Sequence, residues 1–458
     1  MINDKTKYYI FFKDNLVFLS VAFLFCLCMI FISYSNDDAV YRSLGLSECI
    51  STVAVQGYYT WSSRLLINGV WMMILHGGRI VFGLYMGLSI FALLKAIEAL
   101  FVRKPSNEFD LFVAVIVMLY PWQILSTAGW VATATSYFGP VAFGIAALIP
   151  IRRIYDGDSI SLPAFAGYCI CLIYGANLEQ MMAVLLAAYI VALIWFTANK
   201  RLDLQIIILT CLSIVSAIYT LTCPGNSARS YSEVNNWFPT YPMFDSVDKM
   251  DLGITTTLHW MFFENNLLII FICVMLAFLV WERYDNYFFR AISAIPATIC
   301  VLVGPLQTVA ASFFPYLAAL ANPAHTNGSF TVENQGLGLG AMQFAAMLFI
   351  CICVLLSLIL LNDTVQSFLV CCVLVCAGVG SRIVMGFSPT IYASNTRTYS
   401  VLLICMIMLI VHLVTHNLSY LRQNGSVRAS HSLISHFLVL FLLLGFANLL
   451  MTTLAVGR

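Results

Sequence analysis

Residues 341–361 read AMQFAAMLFICICVLLSLILL, an unbroken stretch without a single charged side chain. A helix crossing a hydrocarbon core about 30 Å thick needs about 20 apolar residues, so this stretch predicts a membrane span. Runs of the same kind recur on both sides of it. The candidate spans lie near 15–34, 80–101, 110–128, 134–151, 161–176, 181–198, 204–222, 262–281, 292–314, 341–361, 365–385, 399–416 and 433–453, about thirteen by the length criterion. Composition agrees, with 61% of the 458 residues hydrophobic and 9% charged, against roughly 25% charged in a soluble domain. Inside hydrocarbon the backbone must satisfy its own polar groups. The expected class is therefore all-α, a polytopic transmembrane helix bundle, with residues 1–458 forming a single integral membrane domain.

The first run follows Lys5, Lys7 and Lys13, lacks a small-residue cleavage site and leads into further spans, so it reads as a retained anchor. The fifteen cysteines mostly sit inside apolar runs, as at Cys26 and Cys28 or Cys371 and Cys372, where a thiol packs as a small hydrophobe. None pairs with a histidine at a zinc-site spacing.

Net charge is +1, which gives no reason to expect a nucleic-acid partner. Position is more informative. With a cytoplasmic N-terminus, Arg103, Lys104, Arg152, Arg153, Lys200, Arg201, Arg283, Arg290, Arg422 and Arg428 all fall in inner connections, as the positive-inside rule requires. That orientation puts segments 35–79, 223–261, 315–340 and 386–398 on the outer face of the plasma (inner) membrane, and function is expected there. In 35–79, apolar residues such as Val53, Tyr58, Trp61 and Trp71 alternate with polar ones, the pattern of interfacial helices.

Four clusters on that face carry chemistry. Asn36-Asp37-Asp38 follows the first span, with Trp61 and Arg64 later in the same segment. Adjacent aspartates project in different directions, so one can act while the other supports it; the plain alternative is two solvated acids. Tyr174-Gly-Ala-Asn177-Leu-Glu179 interrupts an apolar run, and an acid so close to hydrocarbon is costly unless it faces a cavity or has a partner. Cys223-Pro-Gly-Asn226-Ser-Ala-Arg229 forces a turn, with Asn226 bonding locally and Arg229 where topology disfavours a cation. Ser381-Arg382 and then Tyr392 and Arg397 form the fourth. Arg64, Arg79, Arg229, Arg382 and Arg397 are thus an outer cationic set. Some of them can contact lipid headgroups, and others suit the two-pronged recognition of phosphate. The remaining loop holds His325, which reads as a surface histidine, and Asn327-Gly-Ser, a frequent chance match to a glycosylation acceptor.

One span, an outer Asp-Asp, interfacial segments bearing Trp61-x-x-Arg64 and many further spans together resemble the GT-C membrane glycosyltransferases. The Pro-Gly-Asn226-x-x-Arg229 and Ser-Arg382 elements are similar to those of a bacterial group of uncharacterised multi-pass proteins and of phage-type enzymes that glucosylate O-antigen. The resemblance implies transfer of a sugar from a polyprenyl-phosphate carrier to a surface glycan such as lipopolysaccharide, with Asp37 or Asp38 as catalytic base. It implies Arg64, Arg229, Arg382 and Arg397 on the donor phosphate, and Glu179, Asn226, Trp61 and Tyr392 on sugar or acceptor. The chain lacks a Trp-Trp-Asp signature, which sets it apart from oligosaccharyltransferases. The partners expected are the lipid-linked sugar donor, the glycan acceptor and membrane lipids; no cofactor is required, and a divalent metal beside the acidic pair stays open. Two other readings remain: a lipid-linked oligosaccharide polymerase, which needs outer arginines but no first-loop acid, and a polysaccharide transporter or flippase, which favours midplane charges and internal repeats.

Overall fold

The computed structural model describes residues 12–45, 50–102, 106–315, 338–423 and 431–455. Lys5, Lys7, Arg103, Lys104, His325, Asn327, Arg428 and most of segment 315–340 lie outside the described residues. The described residues form helices joined by turns and short irregular stretches, with no strand among them. They divide into two compact units, residues 1–118, 122–231 and 430–458 forming the first and residues 119–121 and 232–429 the second.

Eight described helices are long and apolar enough to cross a membrane, or up to ten if each of two bent pairs counts as one span. The expected count was about thirteen. The difference lies in helices that stop short: the stretch expected at 15–34 is α1 (Leu16–Ile30, fifteen residues), and that at 110–128 opens with twelve residues of helix before a 3-10 turn at Trp122. The stretch at 161–176 forms only the fourteen-residue helix Leu162–Gly175.

In the first unit, α1 is followed by two short helices, α2 (Asp37–Gly45) and α3 (Ile50–Thr60), in the segment where short helices were expected. The rest of that segment behaves differently. From Leu65 the chain enters α4 (Leu65–Phe101), 37 residues long and broken only at Gly78, whose φ of 80° leaves the helical region. The kink divides it into 65–77 and 79–101, and at about 1.5 Å per residue the second part runs about 35 Å, enough to cross a hydrocarbon core of about 30 Å. The part after the kink begins where the span expected at 80–101 begins, and residues 65–77, which contain no proline, form a separate helical stretch ahead of it.

The unit continues with α5 (Asn107–Met118) and the span α6 (Trp130–Asp156), in which a π-helical stretch Ala134–Phe138 interrupts the α-helix. Then come α7 (Leu162–Gly175), α8 (Glu179–Ala198), α9 (Leu204–Leu221) and α10 (Gly225–Trp237), which belongs to this unit as far as Tyr231. At one end of the unit, Arg201 Nη2 donates to the carbonyls of Ile154 (3.4 Å) and Tyr155 (3.0 Å), and Gln205 Nε2 donates to that of Ile160 (3.3 Å). These are connections expected on the inner side. The opposite end gathers residues 35–38, 57–67, 127–132, 174–179 and 220–226 through the bonds described below, so the segments expected on the outer side share one end.

The second unit contains α11 (Ser246–Phe262), α12 (Leu267–Arg283), α13 (Tyr287–Val303), α14 (Gln307–Phe313), α15 (Gly338–Leu361), α16 (Val365–Ile383) and α17 (Ser400–Gln423). The chain bends by 73° between α11 and α12 and by 96° between α13 and α14. Asp245 and Asp248 form a reciprocal capping box at the start of α11, which fixes where that helix begins. The chain closes with α18 (His431–Ala455), which belongs to the first unit.

Candidate functional site

Asp38 is fully buried, and its carboxylate accepts three hydrogen bonds. The backbone N–H of Val131 reaches Oδ2 at 2.8 Å, that of Ala132 reaches Oδ1 at 2.8 Å, and Trp71 Nε1 of α4 reaches Oδ1 at 3.1 Å. The two N–H groups belong to the first turn of α6, where a helix has no internal acceptors and carries partial positive charge. Asp38 thus caps a helix that starts about ninety residues later in the chain. Burial pushes its pKa up to about 6, against the pull of these three donors. The seat exists because Gly129 has no side chain: its φ of +109° is left-handed, and a Cβ there would stand 2.6 Å from Asp38 Cγ. Two more bonds close the junction, from Asp37 N to Ala128 O (3.1 Å) and from Asn36 Nδ2 to Thr127 O (3.3 Å). The side chain of Asp37 stays on the exposed surface.

A second cluster lies at the same end. Arg64, immediately ahead of α4, binds Glu179, the first residue of α8, with Nη2 at 2.7 Å and Nε at 3.0 Å from Oε2. Burial pulls the Arg64 pKa down, and the Glu179 carboxylate more than offsets it, so this guanidinium stays charged. Its other neighbour is the ring of Tyr137, 5.1 Å away in the π-helical stretch of α6. Asn177 holds the pair in place, donating to Ser63 O (3.0 Å) and accepting from Ile67 N (3.1 Å), an unfilled donor of the first turn of α4.

The turn before α10 brings in the second arginine. Cys223 Sγ donates to Tyr58 O at 3.1 Å, and a Cβ on Gly225 would lie 2.6 Å from Tyr58 O and Trp61 N, so only glycine lets α10 start against this turn. Arg229, one turn into α10, lies over the Trp61 ring at 5.6 Å and is close enough to act on the Glu179 carboxylate. Glu179 is therefore shared by two arginines, and the three side chains carry one net positive charge. The Trp61 ring is exposed beside them. Asn226 uses its amide to bond Thr220 O at 2.8 Å, closing the end of α9.

Arg382, Tyr392 and Arg397 belong to the second unit. Arg382, at the end of α16, is 3% exposed, and its guanidinium lies 4.5 Å over the Tyr399 ring, which stacks on Trp260 at 3.8 Å. Tyr392 sits beside Phe238 at 5.5 Å, and Arg397 Nη2 donates to Ala393 O at 3.4 Å. The expected residues thus fall into two groups, Asp37, Asp38, Trp61, Arg64, Glu179, Asn226 and Arg229 in one unit and Arg382, Tyr392 and Arg397 in the other. Arg79, an outer arginine by sequence, faces the Tyr34 ring at 5.6 Å.

A divalent metal finds no donor set beside the acidic pair. The Asp38 oxygens are already occupied by N–H donors, and no group of three or more His, Cys, Asp or Glu side chains able to hold a metal occurs among the described residues. Sequence reasoning missed Trp71, Gly129 and Tyr137 as parts of this site. For Gly129 a signal existed, a glycine directly ahead of the apolar run that opens α6. Comparison with family models, curated proteins and solved structures found no match to this chain.

Proposed function

We propose that this membrane protein is a glycosyltransferase of the GT-C type, transferring a sugar from a polyprenyl-phosphate carrier to a cell-surface glycan on the outer face of the plasma membrane, with its N-terminus in the cytoplasm. In this reading the shorter helices α1, α5 and α7 also cross, which brings the span count towards thirteen. The observation that carries the proposal is the net-positive Arg64–Glu179–Arg229 cluster beside the exposed Trp61 ring, at the same end of one unit as the exposed carboxylate of Asp37.

The chemistry assigns a role to each group. Asp37 takes the proton from the acceptor hydroxyl as its oxygen bonds to the anomeric carbon. The bond from that carbon to the phosphate oxygen breaks with oxocarbenium-like charge on the sugar, and the polyprenyl phosphate leaves with the bonding pair. Arg64 and Arg229 offset the charge that develops on the leaving phosphate. Glu179 fixes the two guanidinium groups and Trp61 offers a ring face to the sugar. Asp38 supports the base by holding its backbone against α6, its two oxygens accepting the three hydrogen bonds of that junction.

The test follows radiolabelled sugar from a polyprenyl-phosphate donor into glycan in membranes expressing the protein or Asp37→Asn at matched abundance. Transfer by the wild type and a loss of about 10²–10⁴-fold in the variant are expected. Equal transfer by both would remove Asp37 from the chemistry, and no transfer by the wild type from any such donor would end the reading. Reporter fusions after Asp38 and Arg229 should read external and one after Arg201 cytoplasmic; a cytoplasmic Asp38 would contradict the orientation.

A further inference from the structure

The π-helical turn of α6 has a cause in the sequence. Pro140 has no N–H, and its ring crowds the carbonyl four residues back, so the chain widens just ahead of it. Gly139 then gives its N–H to Ala134 O and not to Thr135 O. Five residues beyond Thr135 stands Pro140 itself, so the backbone offers the Thr135 carbonyl no donor in either register. Thr135 is fully buried, and a side chain fills the gap. Tyr174, near the end of α7, donates its hydroxyl to Thr135 O at 3.2 Å and pairs with the Tyr85 hydroxyl of α4 at 2.8 Å. With the Tyr174 proton on the carbonyl, Tyr85 is the donor of the second bond. Gly139 makes room for it, since a Cβ there would lie 1.7 Å from the Tyr85 oxygen.

The same wide turn carries Tyr137, two residues after Thr135, and Tyr137 meets Arg64 twice, its ring facing the guanidinium at 5.1 Å and its hydroxyl accepting from it. Tyr174 also begins the turn that holds Asn177 and Glu179. Asn177 ties that turn to Ser63 O at 3.0 Å, and Glu179 grips Arg64 from the side away from α6. Both partners of Arg64 thus trace back to one hydroxyl. We propose that Tyr174 is the positioning residue of Arg64: steadied by Tyr85, it holds the wide turn of α6 against the end of α7 and keeps Tyr137 and Glu179 at the spacing that orients the guanidinium. Without the hydroxyl, Thr135 O is a buried acceptor with no donor, and the turn relieves that only by moving. Tyr137 moves with it, and the planar fork of Arg64 loses its aim. The catalytic consequence rests on the reading of Arg64 as a residue facing the leaving phosphate; the positioning itself does not.

The experiment takes the full-length protein in nanodiscs with nitrogen-15-labelled arginine and follows the Arg64 Nε–H resonance, assigned as the one lost in Arg64→Lys. Tyr174→Phe keeps the ring, which meets Phe143 edge-on at 5.6 Å, and removes only the hydroxyl. It should shift that resonance and speed its exchange with solvent about tenfold or more. Tyr85→Phe should act in the same direction and less. The control is Tyr189→Phe, which removes another buried hydroxyl bonded to a carbonyl of the same helix, Ala147 O, further along α6. It should leave the Arg64 resonance as in the wild type. The proposal is overturned if Tyr174→Phe changes neither the resonance nor its exchange, or if Tyr189→Phe disturbs both as much. Should Tyr174→Phe fail to fold, Tyr85→Phe against the control decides by the same criteria. In the radiolabelled-sugar assay, Tyr174→Phe should lower kcat about tenfold or more with KM for the donor nearly kept, while Tyr189→Phe transfers as the wild type does. An unchanged kcat in Tyr174→Phe would also overturn the proposal. A wild type that transfers no sugar ends the glycosyltransferase reading and leaves the arginine resonance to decide this one.

Discussion

Asp38 and Gly129 fit each other as carboxylate and vacancy: the acid occupies the volume that any side chain at 129 would fill, and beyond the left-handed backbone there the N–H groups of Val131 and Ala132 meet its oxygens. Gly129→Ala should therefore act twice, by straining a φ of +109° and by evicting the carboxylate. A loss of about 1–3 kcal/mol is expected from the backbone alone, with more from the displaced cap. Thermal unfolding in detergent checks it, and a variant as stable as the wild type would contradict the seat.

The two neighbouring aspartates should separate cleanly on substitution. Asp38→Asn replaces an acceptor oxygen by an NH2 group facing an N–H donor, leaving buried groups unpaired at about 1–3 kcal/mol each. Asp37→Asn should lower the melting temperature much less, because its side chain is exposed. Measuring both variants by the same melt settles the division of labour independently of any activity.

Asp38 also sets a pH dependence. Its pKa is raised from 3.8 to about 6 in the folded protein, so the folded state holds the proton more tightly than the unfolded chain does. The contribution to stability is full below about pH 4 and is lost as pH rises through about 6. The melting temperature of the wild type minus that of Asp38→Asn should accordingly fall between pH 4 and pH 7 and level off above. A flat difference would show that the three donors hold the acid at its ordinary value.

The legible part of this molecule was local. Long uncharged runs revealed a helical protein with apolar helices long enough to cross a membrane, and segments expected on one side, 35–38 with 127–132 and 63 with 177, do meet. Glu179 was singled out because an acid beside hydrocarbon needs a partner, and Arg64 is that partner. Neighbouring aspartates were expected to diverge, and they do. Which of them turns inward was not legible, because the donors that decide it lie on α6 and α4, far along the chain. Asn68, Gly69, His76, Gly77 and Arg79 lower the hydropathy of 65–79 without preventing a helix, and the chain kinks at Gly78, just ahead of the span expected from residue 80.

The Arg64–Glu179 pair should show coupling in a double-mutant cycle. Arg64→Gln and Glu179→Gln each remove charge-assisted bonds between elements about 115 residues apart, and the coupling energy in unfolding should be about 1–3 kcal/mol. Arg64→Lys should recover only part of it, since lysine cannot present two donors in a plane. Additive single effects would mean the pair is held by its surroundings and not by its own bonds.

The last helix has a consequence that concerns time. α18 packs in the first unit, where the Phe446 ring meets Phe25 of α1 edge-on at 5.3 Å, yet about 200 residues of the second unit are made between α10 and α18. At synthesis rates of about 5–20 residues per second, the rest of the first unit waits about 10–40 s for that helix. Through that interval the first unit has to keep a helix-sized slot open in the bilayer, filled by lipid or by an assisting protein, and the ribosome's pace becomes one of the conditions under which the bundle closes.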